Sequence, residues 1–118
     1  MVERTSVDKI KQNCMNILSN KNILSNCNAE FLDKYKSLYQ IKQIQAVLNS
    51  DELISTAKIL LQNDLNITMA SKQGYMHRNT LIYRIEKIKR LIGLDIRVFR
   101  DAIVFENLVM FYEMLKNK

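Results

Sequence analysis

The side chains able to do chemistry gather in one short stretch of this chain: Lys72, Gln73, His77, Arg78, Asn79, Thr80, Tyr83, Arg84, Lys87 and Arg90. These are the types that meet nucleic acid. Arginine and asparagine pair bidentately with purine edges, hydroxyls bond phosphate, and lysine neutralises the backbone. Catalysis is a poorer account of the same residues. His77 is the one histidine of the chain, and no serine or cysteine nucleophile with an acid partner clusters with it in sequence. A helix-capping or phosphate-contacting role is expected for it instead. Cys14 and Cys27 are the two cysteines, too few for a disulfide framework, and neither stands at a zinc-ligand spacing from His77. Neither has a basic neighbour that would lower a thiol pKa, so both are read as small buried hydrophobes. No cofactor and no metal is expected.

Charge location sharpens this reading. Residues 66–100 hold eight basic residues against two acidic ones, whereas the rest of the 118 residues hold ten of each, so the whole net charge of +6 lies in that stretch. A neutral body with one basic segment is the electrostatic footprint of a polyanion binder. Duplex DNA ranks first and an anionic membrane surface second. The terminal helix lacks the dense basic flanks of surface-binding helices, and no apolar run reaches the roughly 18 residues of a membrane span. RNA ranks below DNA because no aromatic stacking surface is arranged for it. The start, Met1 to Ser6, has no apolar core of a signal peptide, and the protein is expected to be cytoplasmic.

The elements that position these residues follow from apolar spacing. With 47% hydrophobic and 25% charged residues, no proline and two glycines, the chain has the balance of a globular domain and lacks the punctuation of hairpins. Val7, Ile10, Cys14, Ile17 and Leu18 mark a first amphipathic helix. The repeated Asn-Ile-Leu-Ser-Asn at 16–20 and 22–26, followed by Asn28, favours turns, and 19–28 reads as a linker. Phe31, Tyr35, Leu38, Ile41, Ile44, Val47 and Leu48 predict one long helix from Ala29 to near Asn49. Ser50 then caps a helix running to about Asn63, with Asp51 and Glu52 at the positive end of its dipole. A short helix over 67–73, capped by Asn66 or Thr68, precedes a break at Gly74-Tyr75-Met76. A longer helix follows from Arg78 to Ile92, capped by His77, buried through Leu81, Ile85, Ile88 and Ile92, and stopped by a left-handed Gly93. The last helix, about Val98 to Leu115, is apolar around enough of its circumference to require burial on more than one side. The expected fold is all-α, a bundle of about five or six helices. Residues 1–50 are expected to form a helical N-terminal extension and dimerisation arm, and 51–118 the DNA-binding domain.

A short helix, a turn and a longer basic helix are the sequence form of a helix-turn-helix, whose second helix enters the major groove. Ala70 and Ser71 supply the small residues that a close crossing needs, and Gly74 lets the chain turn. Leu81 and Ile85 anchor the recognition helix, about 78–92, so that Arg78 and Asn79 face base edges while Thr80 and Tyr83 reach phosphate or a thymine methyl. Ile82, next to Leu81 and near that face, is expected either to touch a thymine methyl or to rim the core.

The string His77-Arg78-Asn79-Thr80-Leu81-Ile82-Tyr83-Arg84-Ile85, followed by Gly93-Leu94-Asp95, resembles the C-terminal helix-turn-helix domain of the PucR family of bacterial transcription regulators. That family includes purine-catabolism and sugar-diacid regulators. The resemblance covers about Glu52 to Leu115 and implies a DNA-binding transcription factor that reads double-stranded DNA through the segment Ile67 to Ile92. A looser similarity to the Fis-type helix-turn-helix points to Arg78, Thr80 and Tyr83. The chain departs from the family at Gly74, where leucine is usual, and at Ser71, where alanine is frequent. Only about fifty residues precede the motif, without a sensor signature, so a minimal regulator or a fragment of a longer one is expected. A homodimer is expected because one recognition helix reads few base pairs and the helices at 29–48 and 98–115 carry surplus apolar surface. The alternative is a helical adaptor or anti-regulator that keeps the fold without reading DNA. Such a protein tolerates loss of Arg78 and Asn79.

Overall fold

In the computed structural model, residues 6–18 and 29–116 are described. They form seven helices and no strand: α1 (Val7–Leu18), α2 (Ala29–Tyr39), α3 (Lys42–Leu48), α4 (Asp51–Gln62), α5 (Ile67–Gln73), α6 (Arg78–Ile92) and α7 (Phe99–Lys116). The all-α expectation stands. The linker expected at 19–28, Cys27 and the side chain of Phe31 lie outside the described residues.

One expected helix is two. The span 29–49 breaks at Gln40-Ile41, where Ile41 is extended at φ −73°, ψ 125°, and α3 restarts after it. The reason lies in the stripe itself. Leu38 and Val47 are nine residues apart, two and a half turns at about 3.6 residues per turn, so a straight helix points them to opposite sides. Both are buried, at 1% and 0% exposure, and the break lets each half turn its own apolar side inward. The described bundle therefore has one helix more than the upper expectation.

Capping explains most of the other boundaries. Ser50 Oγ accepts from Leu53 N at 3.2 Å and opens α4; Asn66 Oδ1 accepts from Met69 N at 3.0 Å and opens α5. At the far end of α6, Gly93 takes φ +81° and its N–H donates to Lys89 O at 2.8 Å. A Cβ there would lie 2.9 Å from Lys11 Cβ and 3.2 Å from Val7 Cγ1, so glycine serves both the left-handed backbone and the close approach of α1.

Helix α6 is the hub of the core. It packs against α1, α3, α4 and α5, and Leu81, Ile85, Ile88 and Ile92 are each fully buried. Helices α1 and α7 pack together, and the Tyr35 hydroxyl donates to Leu108 O at 2.9 Å, tying α2 to the middle of α7. Cys14 is fully buried, as expected for a small hydrophobe, and that burial pushes its thiol pKa up to about 12. The buried charge of Asp101 is satisfied by Asp95 N at 2.9 Å and by Lys11 Nζ at 3.6 Å. Helix α7 is buried through Ala102, Val104, Phe105, Leu108, Val109 and Phe111, yet leaves Phe99, Ile103 and Met114 exposed. No helix among the described residues is long and apolar enough to cross a membrane.

Candidate nucleic-acid interface

The turn between α5 and α6 is held by one side chain of α5 and by its backbone. Ser71 Oγ donates to Met76 O, and Met76 N donates back to Ser71 O at 3.0 Å. The Ser71 hydroxyl therefore adds a side-chain bond to a backbone bond that any residue at this position would make. Gly74 plays a different part from the one spacing assigned to it. Its φ is −86°, open to any residue, and the left-handed position is Tyr75 at φ +50°. What Gly74 provides is space: a Cβ there would stand 2.8 Å from Ile59 Cδ1 of α4 and 3.1 Å from Ala70 O. Ala70 is fully buried at the same crossing, as its size led one to expect.

His77 opens α6. Its Nδ1 accepts from Asn79 N at 3.1 Å, the capping role read from its position. With Leu81, Ile85, Ile88 and Ile92 turned into the core, the opposite side of α6 carries Asn79, Thr80, Tyr83, Lys87 and Arg90, all exposed. Tyr83 is 58% exposed, and the Arg90 guanidinium carbon sits 5.7 Å from its ring centroid, which orients both on the outer face. Ile82, half-buried, borders this surface.

Other predicted site residues are arranged differently. Arg78 is exposed at the start of α6 and its Nη1 donates to Thr68 Oγ1 of α5 at 3.1 Å. Arg84 turns back onto α4, half-buried, with its guanidinium 3.5 Å from Thr56 Oγ1 and 3.8 Å from Glu52 Oε2. Lys72 and Gln73 are exposed at the end of α5, where the Gln73 side-chain oxygen accepts from Asn63 Nδ2 at the end of α4.

The basic stretch also carries its own acids in register. Arg97 binds Asp95 Oδ1 through Nε at 2.9 Å and Glu86 Oε1 through Nη2 at 2.5 Å. Its hydrogen bond to Asp95 holds that carboxyl below the usual carboxylate range, and the Arg97 pKa is raised in turn. Lys89 Nζ lies 3.8 Å from the same carboxylate. Arg84, Lys89 and Arg97 thus face acids, while Lys72, Lys87 and Arg90 have no carboxylate partner among the described residues. Thr68 was not singled out for its contact by sequence, because it bridges two helices whose crossing spacing does not reveal, and Ser71 was not because its bond needs the turn to be closed.

A cleft of about 720 Å³ opens on another side of α4, between it and α7, lined by Ile54, Leu61, Phe99, Ile103 and Met110 among others. It is apolar and stands apart from the outer face of α6.

A short helix, a clamped turn and a longer core-anchored helix with a polar outer face define a helix-turn-helix protein. Residues 53–106 match the family model of the PucR C-terminal helix-turn-helix domain, so this segment is similar to the DNA-binding-type domain of that name. Among curated proteins of Bacillus subtilis (strain 168), the chain is 36% identical over 56 residues to the uncharacterized protein YxkF, covering 48% of this chain and 19% of that one. It is 32% identical over 71 residues to the proline-responsive transcriptional activator PutR, covering 60% and 17%. To the purine catabolism regulatory protein it is 38% identical over 45 residues, covering 38% and 8%. The chain thus spans less than a fifth of the length of these relatives. No solved structure matches it.

Proposed function

We propose that this protein is a sequence-specific regulator of transcription that binds duplex DNA in the cytoplasm as a homodimer, with α6 in the major groove. The observation that carries the reading is the outer face of α6. Five exposed polar or basic side chains, Asn79, Thr80, Tyr83, Lys87 and Arg90, lie opposite four fully buried ones on a helix packed by four neighbours. A rigid mount and a polar outer face are what a reading helix requires. Arg78 and Asn79, in the first turn, read base edges; Thr80 and Tyr83 meet phosphate or a thymine methyl; Lys72, Gln73, His77, Lys87 and Arg90 contact the backbone. Arg84 serves this surface from behind, through α4. The exposed Phe99, Ile103 and Met114 of α7 support the dimer, whereas Tyr35, Leu38, Ile44, Val47 and Leu48 of α2 and α3 are taken up by the protein's own core. The segment 1–50 adds α1 to α3 around the matched domain.

The test is a binding-site selection from random duplexes followed by sedimentation of the protein alone and on the selected site. Enrichment of a near-palindromic sequence with half-sites about one helical turn apart, bound by two copies, is the expected result. Absence of salt-sensitive duplex binding, with Arg78→Ala and Asn79→Ala retaining the protein's cellular effect, refutes it in favour of a helical adaptor.

A further inference from the structure

We propose that Thr68 is a positioning residue for base reading, holding the Arg78 guanidinium at the angle from which it meets DNA. This rests on the reading of Arg78 as a base-contacting side chain and adds a residue that carries no such role in that reading. The two belong to different helices, and the 3.1 Å hydrogen bond from Arg78 Nη1 to Thr68 Oγ1 is the polar contact between the first turn of α5 and the first turn of α6. Among the described residues Arg78 has no other polar partner.

Thr68 is well suited to brace. Its helix is fixed at the start by the Asn66 cap and packs against both α4 and α6. A hydroxyl on Cβ stands close to the backbone of a helix that is itself fixed, so its reach is short and it meets the guanidinium from a defined side. The guanidinium has five N–H donors in a rigid fork, and one bond to Thr68 leaves the remaining donors to pair with a guanine edge. An unbraced arginine at an exposed helix start loses its rotamer freedom when it docks; one already held loses less, and only a base that accepts in that orientation benefits. Thr68 therefore acts on discrimination more than on overall affinity.

The experiment uses the full chain and random-duplex selection on five proteins: wild type, Arg78→Ala, Thr68→Val, Thr68→Ser and the double variant Arg78→Ala with Thr68→Val. Valine keeps the shape and removes the hydroxyl; serine restores it. Arg78→Ala is expected to flatten the preference at one base position of the half-site. Thr68→Val is expected to weaken preference at that same position by about three- to tenfold, the worth of one net hydrogen bond, with affinity for scrambled duplex unchanged. Thr68→Ser is expected to match wild type, and Thr68→Val on top of Arg78→Ala to add nothing. If Arg78→Ala flattens a position and Thr68→Val does not, the positioning role is overturned while the base-reading role stands. Should Thr68→Val weaken all sequences equally, Thr68 contacts the backbone on its own account, and the proposal fails again. If Arg78→Ala flattens no position, both fail together.

Discussion

Lys87 and Lys89 stand two residues apart in the same basic run, and removal of each should leave opposite signatures on DNA binding. Lys87 lies on the outer face of α6 with no carboxylate partner among the described residues, whereas Lys89 sits on the flank with Nζ 3.8 Å from Asp95 Oδ2. With Lys72, Lys87 and Arg90 as the phosphate-neutralising cations of one subunit, log affinity per subunit should fall with log salt at a slope of about −2.7. From 50 to 200 mM salt, a subunit then loses roughly 40-fold in affinity. Lys87→Ala should reduce the slope to about −1.8 and the loss to roughly 12-fold, while Lys89→Ala should leave the slope near −2.7. The assay is fluorescence anisotropy on a scrambled duplex across a salt series, with circular dichroism to verify folding. A Lys89→Ala slope lowered as far as that of Lys87→Ala would show that Lys89 leaves Asp95 for phosphate and that α6 docks on its flank. That outcome refutes the assigned face.

Two further outcomes test the mounting of α6. Gly93→Ala combines a left-handed backbone, about 1–2 kcal/mol, with displacement of α1 from Lys11 and Val7, so a loss of about 2–4 kcal/mol is expected by urea unfolding at constant m. Gly74→Ala, at φ −86° and pressing chiefly on the movable end of Ile59, should stay within about 1 kcal/mol of wild type; a Gly74 cost exceeding that of Gly93 contradicts the geometry. Asp95 has a lowered pKa in the fold through Arg97, so its contribution is complete above the unfolded value of about 3.9 and fades as pH falls through the lower folded value. Wild type should therefore lose stability on acidification below about pH 5 more steeply than Asp95→Asn, read from urea midpoints; equal slopes remove Asp95 from the acid response.

The parts of this molecule that sequence revealed are those decided within one helix. Ser50, Asn66, His77 and Gly93 act on amides or carbonyls a few residues away, so type and position suffice to place the ends of α4, α5 and α6. The burial of Leu81, Ile85, Ile88 and Ile92 follows from spacing alone. What escaped is decided between helices. The break at Ile41 comes from a core that needs Leu38 and Val47 together, and the space at Gly74 from how closely Ile59 approaches. Arg84 looks like its neighbours in sequence and differs only because α4 brings Glu52 and Thr56 beside it. The Ser71 clamp on Met76 is likewise invisible until the turn has folded.

The pairing of Arg97 with Glu86 and Asp95 has a consequence for the ionic setting in which this surface works. Glu86 belongs to the same helix as Asn79, Tyr83 and Arg90, and an uncompensated carboxylate there would repel the nearest phosphates or recruit a divalent cation to bridge the two. Arg97, bound to it through Nη2 and to Asp95 through Nε, supplies the positive charge from inside the chain. Together with Lys89 beside Asp95, Arg97 matches two carboxylates with two tethered cations, so on the proposed reading this surface would meet a polyanion without borrowing magnesium from the surrounding solution.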